Sequence, residues 1–261
     1  MTVVALGVTH TGYITMRAVR RIVRQPWYVF ITLIQPMIWL LLFGQVFRRV
    51  VEIPGFGGGS YITYLTPGVV VMTALFSSAW AGTTFIDDMD RGVMDHLLVT
   101  PVRRGAMIAG SLVQQALSIA IQAIIVILVG LGMGARYPGG FPGVVVTVVA
   151  ALLLAMAFAS YSNALALLTR QLQTLIGIVN FLVLPLSFLS STMIDLRVSP
   201  AWIGDVARYN PVNWAVVASR GALSANPSWS SVLEHLGLLA AVAVVLGWLA
   251  TRAFRAYQRS A

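Results

Sequence analysis

The sequence predicts an all-α membrane protein with six transmembrane helices, and three observations predict it. Of 261 residues, 58% are hydrophobic and only 10% charged, where an ordinary soluble domain carries roughly a quarter charged residues. So few charges cannot coat a soluble core of this length, which excludes a soluble enzyme. Six uncharged apolar stretches follow one another, each near the roughly 20 residues that a helix needs to cross a hydrocarbon core of about 30 Å. The 17 basic residues are all arginine, and they gather at the ends of those stretches, where basic residues orient membrane proteins. That placement accounts for the net charge of +9 without nucleic acid as a partner. With no lysine, a G-x-x-x-x-G-K-[ST] phosphate loop is impossible, and with no cysteine, thiolate metal sites and thiol nucleophiles are excluded as well.

The elements follow in order. Over residues 8–25 the spacing predicts an amphipathic interfacial helix. Arg17, Arg20, Arg21 and Arg24 recur at i, i+3, i+4 and i+7, so one face carries the guanidinium groups while Ala18, Val19, Ile22 and Val23 fill the other. Such a helix anchors at the inner headgroup region or contacts a cytoplasmic partner. The first span runs from about Trp27 to Phe47, and a Gly-rich turn over Gly55 to Gly59 connects it to the second, Tyr61 to Ile86. Pro36, Pro67 and Pro185 lie within spans and predict kinks.

A cytoplasmic loop over residues 87–104 comes next. Asp87, Asp88 and Asp90 precede a short helical pattern whose positive dipole end favours them, and Thr100-Pro101 stops it. Val93, Met94, Leu97 and Leu98 form an apolar ridge. One or two turns of helix cannot bury that ridge alone, so it either docks into a groove on another protein or rests on the bilayer and adjoining spans. A lone His96 among aspartates is too poor a ligand set for a metal site.

The third span, Ala106 to Ala135, carries Ser111, Gln115, Ser118 and Gln122 at steps of four, three and four. This polar stripe bonds to neighbouring helices or lines a passage. The fourth span covers Gly143 to Thr169, the fifth Thr174 to Ile194 and the sixth about Leu236 to Thr251. Between the last two, residues 195–235 read as re-entrant or surface helices on the outer side, with short helices near Pro200 to Arg208 and Pro211 to Leu223. Trp202, Tyr209, Trp214 and Trp229 suit a headgroup boundary. With both termini cytoplasmic, eleven arginines fall inside and six outside, which orients the chain N-in and C-in. One membrane domain accounts for residues 1–261.

No ionisable residue sits at the centre of a span, where an ion-coupled transporter needs one. No His/Asp/Glu constellation supplies an intramembrane hydrolase either. Uphill transport then needs work from another polypeptide.

The run Asp90-Arg91-Gly92-Val93-Met94-Asp95-His96-Leu97-Leu98 with Thr100-Pro101-Val102-Arg103 resembles the cytoplasmic loop of ABC-transporter type-2 permeases, in particular the daunorubicin-resistance branch of drug exporters. Pro200-Ala201-Trp202 and Asn210-Pro211-Val212-Asn213-Trp214 with Arg220 are similar to that family's segment before its last span. The resemblance implies a non-catalytic inner-membrane permease without a cofactor of its own. Two such subunits, identical or distinct, would pair with two cytoplasmic ABC ATPase subunits that hold ATP and Mg. It also implies that Gly92, Val93, Asp95, Leu97 and Leu98 belong to a coupling helix on the ATPase, joined by Arg17, Arg20 and Arg24. The permease interface and cargo route would lie near Thr73, Phe76, Asn180 and Phe181, with Ser111, Gln115 and Gln122 on the polar stripe beside them. The implied cargo is a lipophilic drug-like compound or lipid moved outward. A glycan cargo, an ion-coupled secondary transporter and a purely structural role are the alternatives.

Overall fold

A computed structural model describes residues 26–47, 60–92, 104–193, 196 and 199–260. Nine α-helices, and no strand, occur among the described residues: α1 (Pro26–Val46), α2 (Tyr61–Ala79), α3 (Thr83–Asp90), α4 (Arg104–Gly132), α5 (Gly140–Thr169), α6 (Leu172–Phe188), α7 (Ala201–Ala207), α8 (Pro211–Leu223) and α9 (Trp229–Ser260). Helices suit a bilayer, since a helix satisfies its backbone polar groups within one segment.

Four helical stretches are long and apolar enough to cross a membrane: Tyr61–Asp90, Gly110–Gly132, Gly140–Thr169 and Trp229–Arg255. Ile31–Val46 and Leu172–Phe188 are apolar but shorter. The 17 residues of α6 reach roughly 26 Å, a little less than the hydrocarbon core. Six apolar stretches of sequence thus become four full-length helices and two shorter ones.

The boundaries differ from the sequence expectation in one instructive place. The stretch from Tyr61 to Ile86 is not one helix, because α2 ends at Ala79 and α3 begins at Thr83. The Gly82 N–H donates to Ser162 Oγ of α5 at 3.0 Å, and a Cβ at Gly82 would lie 2.3 Å from the Ser162 carbonyl oxygen. Backbone contact that close requires glycine, and it fixes the break against α5. Asp87, Asp88 and Asp90 lie in the C-terminal half of α3, and the short helical pattern expected after them lies outside the described residues. The α3 dipole opposes them by a few tenths of a kcal/mol each, at most about 1.

At the centre lies α5, which packs against α2, α3, α4, α6, α8 and α9. It is apolar on every side, as a helix surrounded by helices should be. Ala151, Ala155 and Ala159 recur at steps of four and are wholly buried, and such small residues let neighbouring backbones approach closely. At its start the approach is closer still: a Cβ at Gly139 would sit 2.0 Å, and one at Gly143 2.5 Å, from the Ala222 carbonyl oxygen of α8.

Two apolar clusters share this helix. One joins Leu75 of α2, Phe85 and Ile86 of α3, Leu154 and Phe158 of α5, Leu175 and Val179 of α6, Val216 of α8 and Phe254 of α9. The other joins Leu33 and Leu40 of α1, Leu65 and Val69 of α2, Ile119 and Val126 of α4, and Ala151 and Ala155 of α5. Outward, Ile31, Ile34, Ile38, Leu41 and Leu42 of α1 and Val244, Val245, Trp248 and Leu249 of α9 are exposed. Apolar surface this extensive belongs against lipid or another membrane helix.

Residues 189–193 after α6 are unwound, and their carbonyls are gathered by a polar knot. Arg220 of α8 donates from Nε to the Tyr64 carbonyl at 3.1 Å, from Nη1 to the Ser191 carbonyl at 2.6 Å and from Nη2 to the Thr192 carbonyl at 3.0 Å. Its guanidinium lies 3.5 Å from the centre of the Tyr64 ring. Tyr61 and Tyr64 donate their hydroxyls to the carbonyls of Met193 and Ser191. Asn210 Nδ2 caps the end of α6 by donating to the Leu186 and Leu189 carbonyls, both at 2.7 Å. Its Oδ1 also accepts from the Val212 N–H at the start of α8, an N-cap with proline following at N1. Backbone left unpaired in a membrane is costly, and this knot satisfies it.

Candidate functional site

Between α1, the second half of α2 and the middle of α4 lies a half-open cavity of about 220 Å³. The α2 wall is one helical stripe, Val69, Met72, Thr73, Phe76 and Ser77, continued by Trp80 just past its end, at the i, i+3, i+4, i+7 spacing of a single face. Thr32, Gln35, Pro36 and Trp39 of α1 form the facing wall at the same spacing, and Gln122 of α4 closes the base. Pro36 lies inside α1 and has no N–H to give back along the helix, a local kink point beside the cavity. Where α1 leaves the cavity, Trp39, Phe43 and Phe47 stack at centroid separations of 4.8 and 5.4 Å. Phe47 then meets Tyr61 of α2 at 5.9 Å. This aromatic ladder ties one end of α1 to α2, while the cavity occupies the other end of their seam.

Aromatic rings and a thioether dominate the wall, and none of the described lining residues is charged. The polar groups are mostly committed. Thr73 Oγ1 donates to the Val69 carbonyl at 2.7 Å, so its hydroxyl is satisfied within α2. Ser77 Oγ accepts from Gln115 Nε2 at 3.2 Å. Gln122 Nε2 donates to Thr32 Oγ1 at 3.2 Å, but Gln122 Oε1 is buried without a hydrogen-bond partner. An amide oxygen in that state costs about 1–3 kcal/mol.

Of the residues expected on a pathway or interface, Thr73, Phe76 and Gln122 therefore meet at one cavity. The others do not join them. Gln115 links α4 to α2 through Ser77, and Ser111 accepts from Asn163 Nδ2 of α5 at 3.3 Å. The polar stripe of α4 is thus divided among three neighbours. Asn180 and Phe181 lie on the opposite, outward face of α6, where Asn180 is exposed and Phe181 is 83% exposed. Gly177, one turn before Phe181, has open space where a Cβ would stand. Leu184 and Phe188 are exposed on the same helix, so this face pairs a small residue and an amide with large apolar side chains.

Gly92 follows α3 with φ of +67°, a left-handed conformation that only glycine adopts without strain. Its N–H donates to the Met89 carbonyl at 3.0 Å, ending α3. Val93, Asp95, Leu97 and Leu98, like Arg17, Arg20 and Arg24, lie outside the described residues. What precedes them is firmly seated, because Phe85 and Ile86 of α3 are buried and α3 packs on α5 and α6.

Sequence reasoning did not single out Trp39, Met72 or Trp80, although the α2 stripe was visible as an i, i+3, i+4, i+7 recurrence. It counted Arg220 among the outer arginines and within the stretch resembling the family's segment before its last span, but gave it no structural role. Two of the three carbonyls that Arg220 holds, those of Ser191 and Thr192, are free only because the chain unwinds after α6, which no residue pattern announces.

A family model for ABC-2 type transporters matches residues 9–224. The chain is 26% identical to a daunorubicin resistance ABC transporter permease protein of Streptomyces coeruleorubidus, over 85% of this chain and 77% of that one. It is 29% identical to a protein of Cyanophora paradoxa named as a transport permease, over 81% and 73% of the two chains. With a protein of Mycobacterium tuberculosis named as a doxorubicin resistance ABC transporter permease it shares 22% identity, over 92% and 86%.

Proposed function

The chain belongs to the ABC-2 type transporter family, and from that premise we propose that it is the transmembrane permease subunit of an ABC exporter that moves a lipophilic small molecule outward across the cytoplasmic membrane. The observation that carries this reading is the family match over residues 9–224, with drug-resistance permeases among the relatives. The uncharged, aromatic cavity between α1, α2 and α4 agrees with a lipophilic cargo.

The finer reading has six membrane crossings with both termini cytoplasmic, a second permease subunit, and ATP and Mg held by separate ATPase subunits. Arginine placement supports the orientation. The exposed α6 face with Gly177, Asn180 and Phe181 supports a permease partner, since a lipid-facing amide is costly unless another helix covers it. Gly92, Val93, Asp95, Leu97 and Leu98 are the residues we assign to ATPase contact, with Arg17, Arg20 and Arg24 beside them. Gly92 supports this in conformation, because it closes α3 and releases the chain toward the apolar ridge.

The test is co-purification with the ATPase encoded beside this chain, then ATPase and inverted-vesicle uptake assays on wild type and Leu97→Asp. A charge placed in a desolvated contact is expected to lower cargo-stimulated hydrolysis and uptake by roughly tenfold or more. Wild-type coupling in Leu97→Asp removes the docking assignment.

A further inference from the structure

Resting on the permease reading, we propose that the cavity between α1, α2 and α4 is a binding pocket within a single subunit for an uncharged aromatic compound carrying an O–H or N–H donor, and that Gln122 selects for the donor. Four observations point there. Trp39, Phe76 and Trp80 approach from two helices, and flat faces of this kind favour a ring by stacking and edge contacts over a flexible acyl chain. Gln122 is 3% exposed; its Nε2 is held by Thr32 while its Oε1 has no partner. A buried acceptor in apolar surroundings rewards a ligand that supplies the missing donor, and the soft terminal torsion of the amide brings the oxygen to the cavity by giving up the long 3.2 Å bond to Thr32. No described lining residue carries a charge, so none of them offers a counter-charge to a cation entering this low-dielectric site. Size sets the last limit. At about 220 Å³ the cavity falls below the roughly 300–1,000 Å³ of pockets that swallow a drug-sized molecule. It holds one ring system, and the remainder of a larger cargo passes the open side at Gln35, which is exposed.

The probes are 2-naphthol, 2-methoxynaphthalene, which lacks the donor, and a naphthyl trimethylammonium salt, which carries a charge. Binding to the full chain in phosphatidylcholine nanodiscs is measured by calorimetry, with the heat of empty nanodiscs subtracted. Wild type is expected to bind 2-naphthol roughly tenfold more tightly than 2-methoxynaphthalene, and both more tightly than the ammonium salt. Gln122→Leu is expected to abolish the preference between the first two, and Trp80→Ala to weaken both. Equal wild-type affinity for 2-naphthol and 2-methoxynaphthalene overturns the proposal without reliance on any variant, as does tighter binding of the cation. ATP-driven export of a donor-bearing aromatic cargo that both Gln122→Leu and Trp80→Ala leave unchanged removes this pocket and keeps the permease reading. Absence of ATP-driven export of any cargo by the wild-type complex removes the reading, whereas the naphthol preference judges the pocket alone.

Discussion

Single residues fix this fold where backbones touch. Gly68 faces the unwound segment after α6, and a Cβ there would stand 2.0 Å from the Thr192 carbonyl oxygen. Gly132, at the end of α4, has nothing within 4 Å. Gly68→Ala is therefore expected to destabilise by about 1–3 kcal/mol or more, as an overpacked core does, whereas Gly132→Ala is expected to be neutral or stabilising by up to about 1 kcal/mol. Thermal unfolding in detergent compares them, and equal melting temperatures would contradict the packing described. Arg220 is the second such position. Lysine keeps the charge but cannot deliver three N–H groups to the carbonyls of Tyr64, Ser191 and Thr192 while lying flat on a ring. Arg220→Lys is expected to lose at least one charge-assisted bond, about 1.5–3 kcal/mol, seen as a lower melting temperature and faster proteolysis after α6. Neither residue's role was legible in the sequence, because each depends on a carbonyl brought from a distant segment. Gly92 differs, since the family resemblance marked it, and its left-handed conformation is local.

At the scale of elements the sequence was more informative. Apolar stretches gave the positions of α1, α2, α4, α5 and α6 to within a few residues at most ends, because burial in lipid or among helices asks only for hydrophobicity. It misjudged lengths where charge and helix end do not coincide. The last span was expected from about Leu236, yet α9 starts at Trp229 and includes Glu234 and His235. Charged residues mark the edge of the hydrocarbon, and a helix continues through the headgroups. The break between α2 and α3 escaped notice because Trp80-Ala81-Gly82 is as apolar as its surroundings. The outward face of α6 yields a prediction of its own. Gly177 has open space beside Asn180 within the subunit, so Gly177→Leu is expected to fold normally. If a second permease covers this face, the bulk of leucine is expected to shift the complex toward single permeases by roughly tenfold. Size-exclusion chromatography with light scattering reads the stoichiometry, and an unchanged dimer moves the interface elsewhere.

For the whole molecule, the energetic expectation is dependence on a partner. Reconstituted by itself in vesicles under a proton or sodium gradient, the chain is expected to accumulate no cargo. Addition of its ATPase with ATP and Mg is expected to restore uptake, measured with a fluorescent lipophilic compound. Gradient-driven uptake by the isolated chain would return the ion-coupled alternative. In this setting the three-residue joint between α2 and α3 acquires a mechanical meaning. Trp80 sits in the joint and also on the cavity wall, while Gly82 is pinned to Ser162 of the central helix. If a partner pushes on α3, the thrust is expected to turn about Gly82 rather than run straight up α2, and the Trp80 indole on the cavity wall is expected to be the first surface to move.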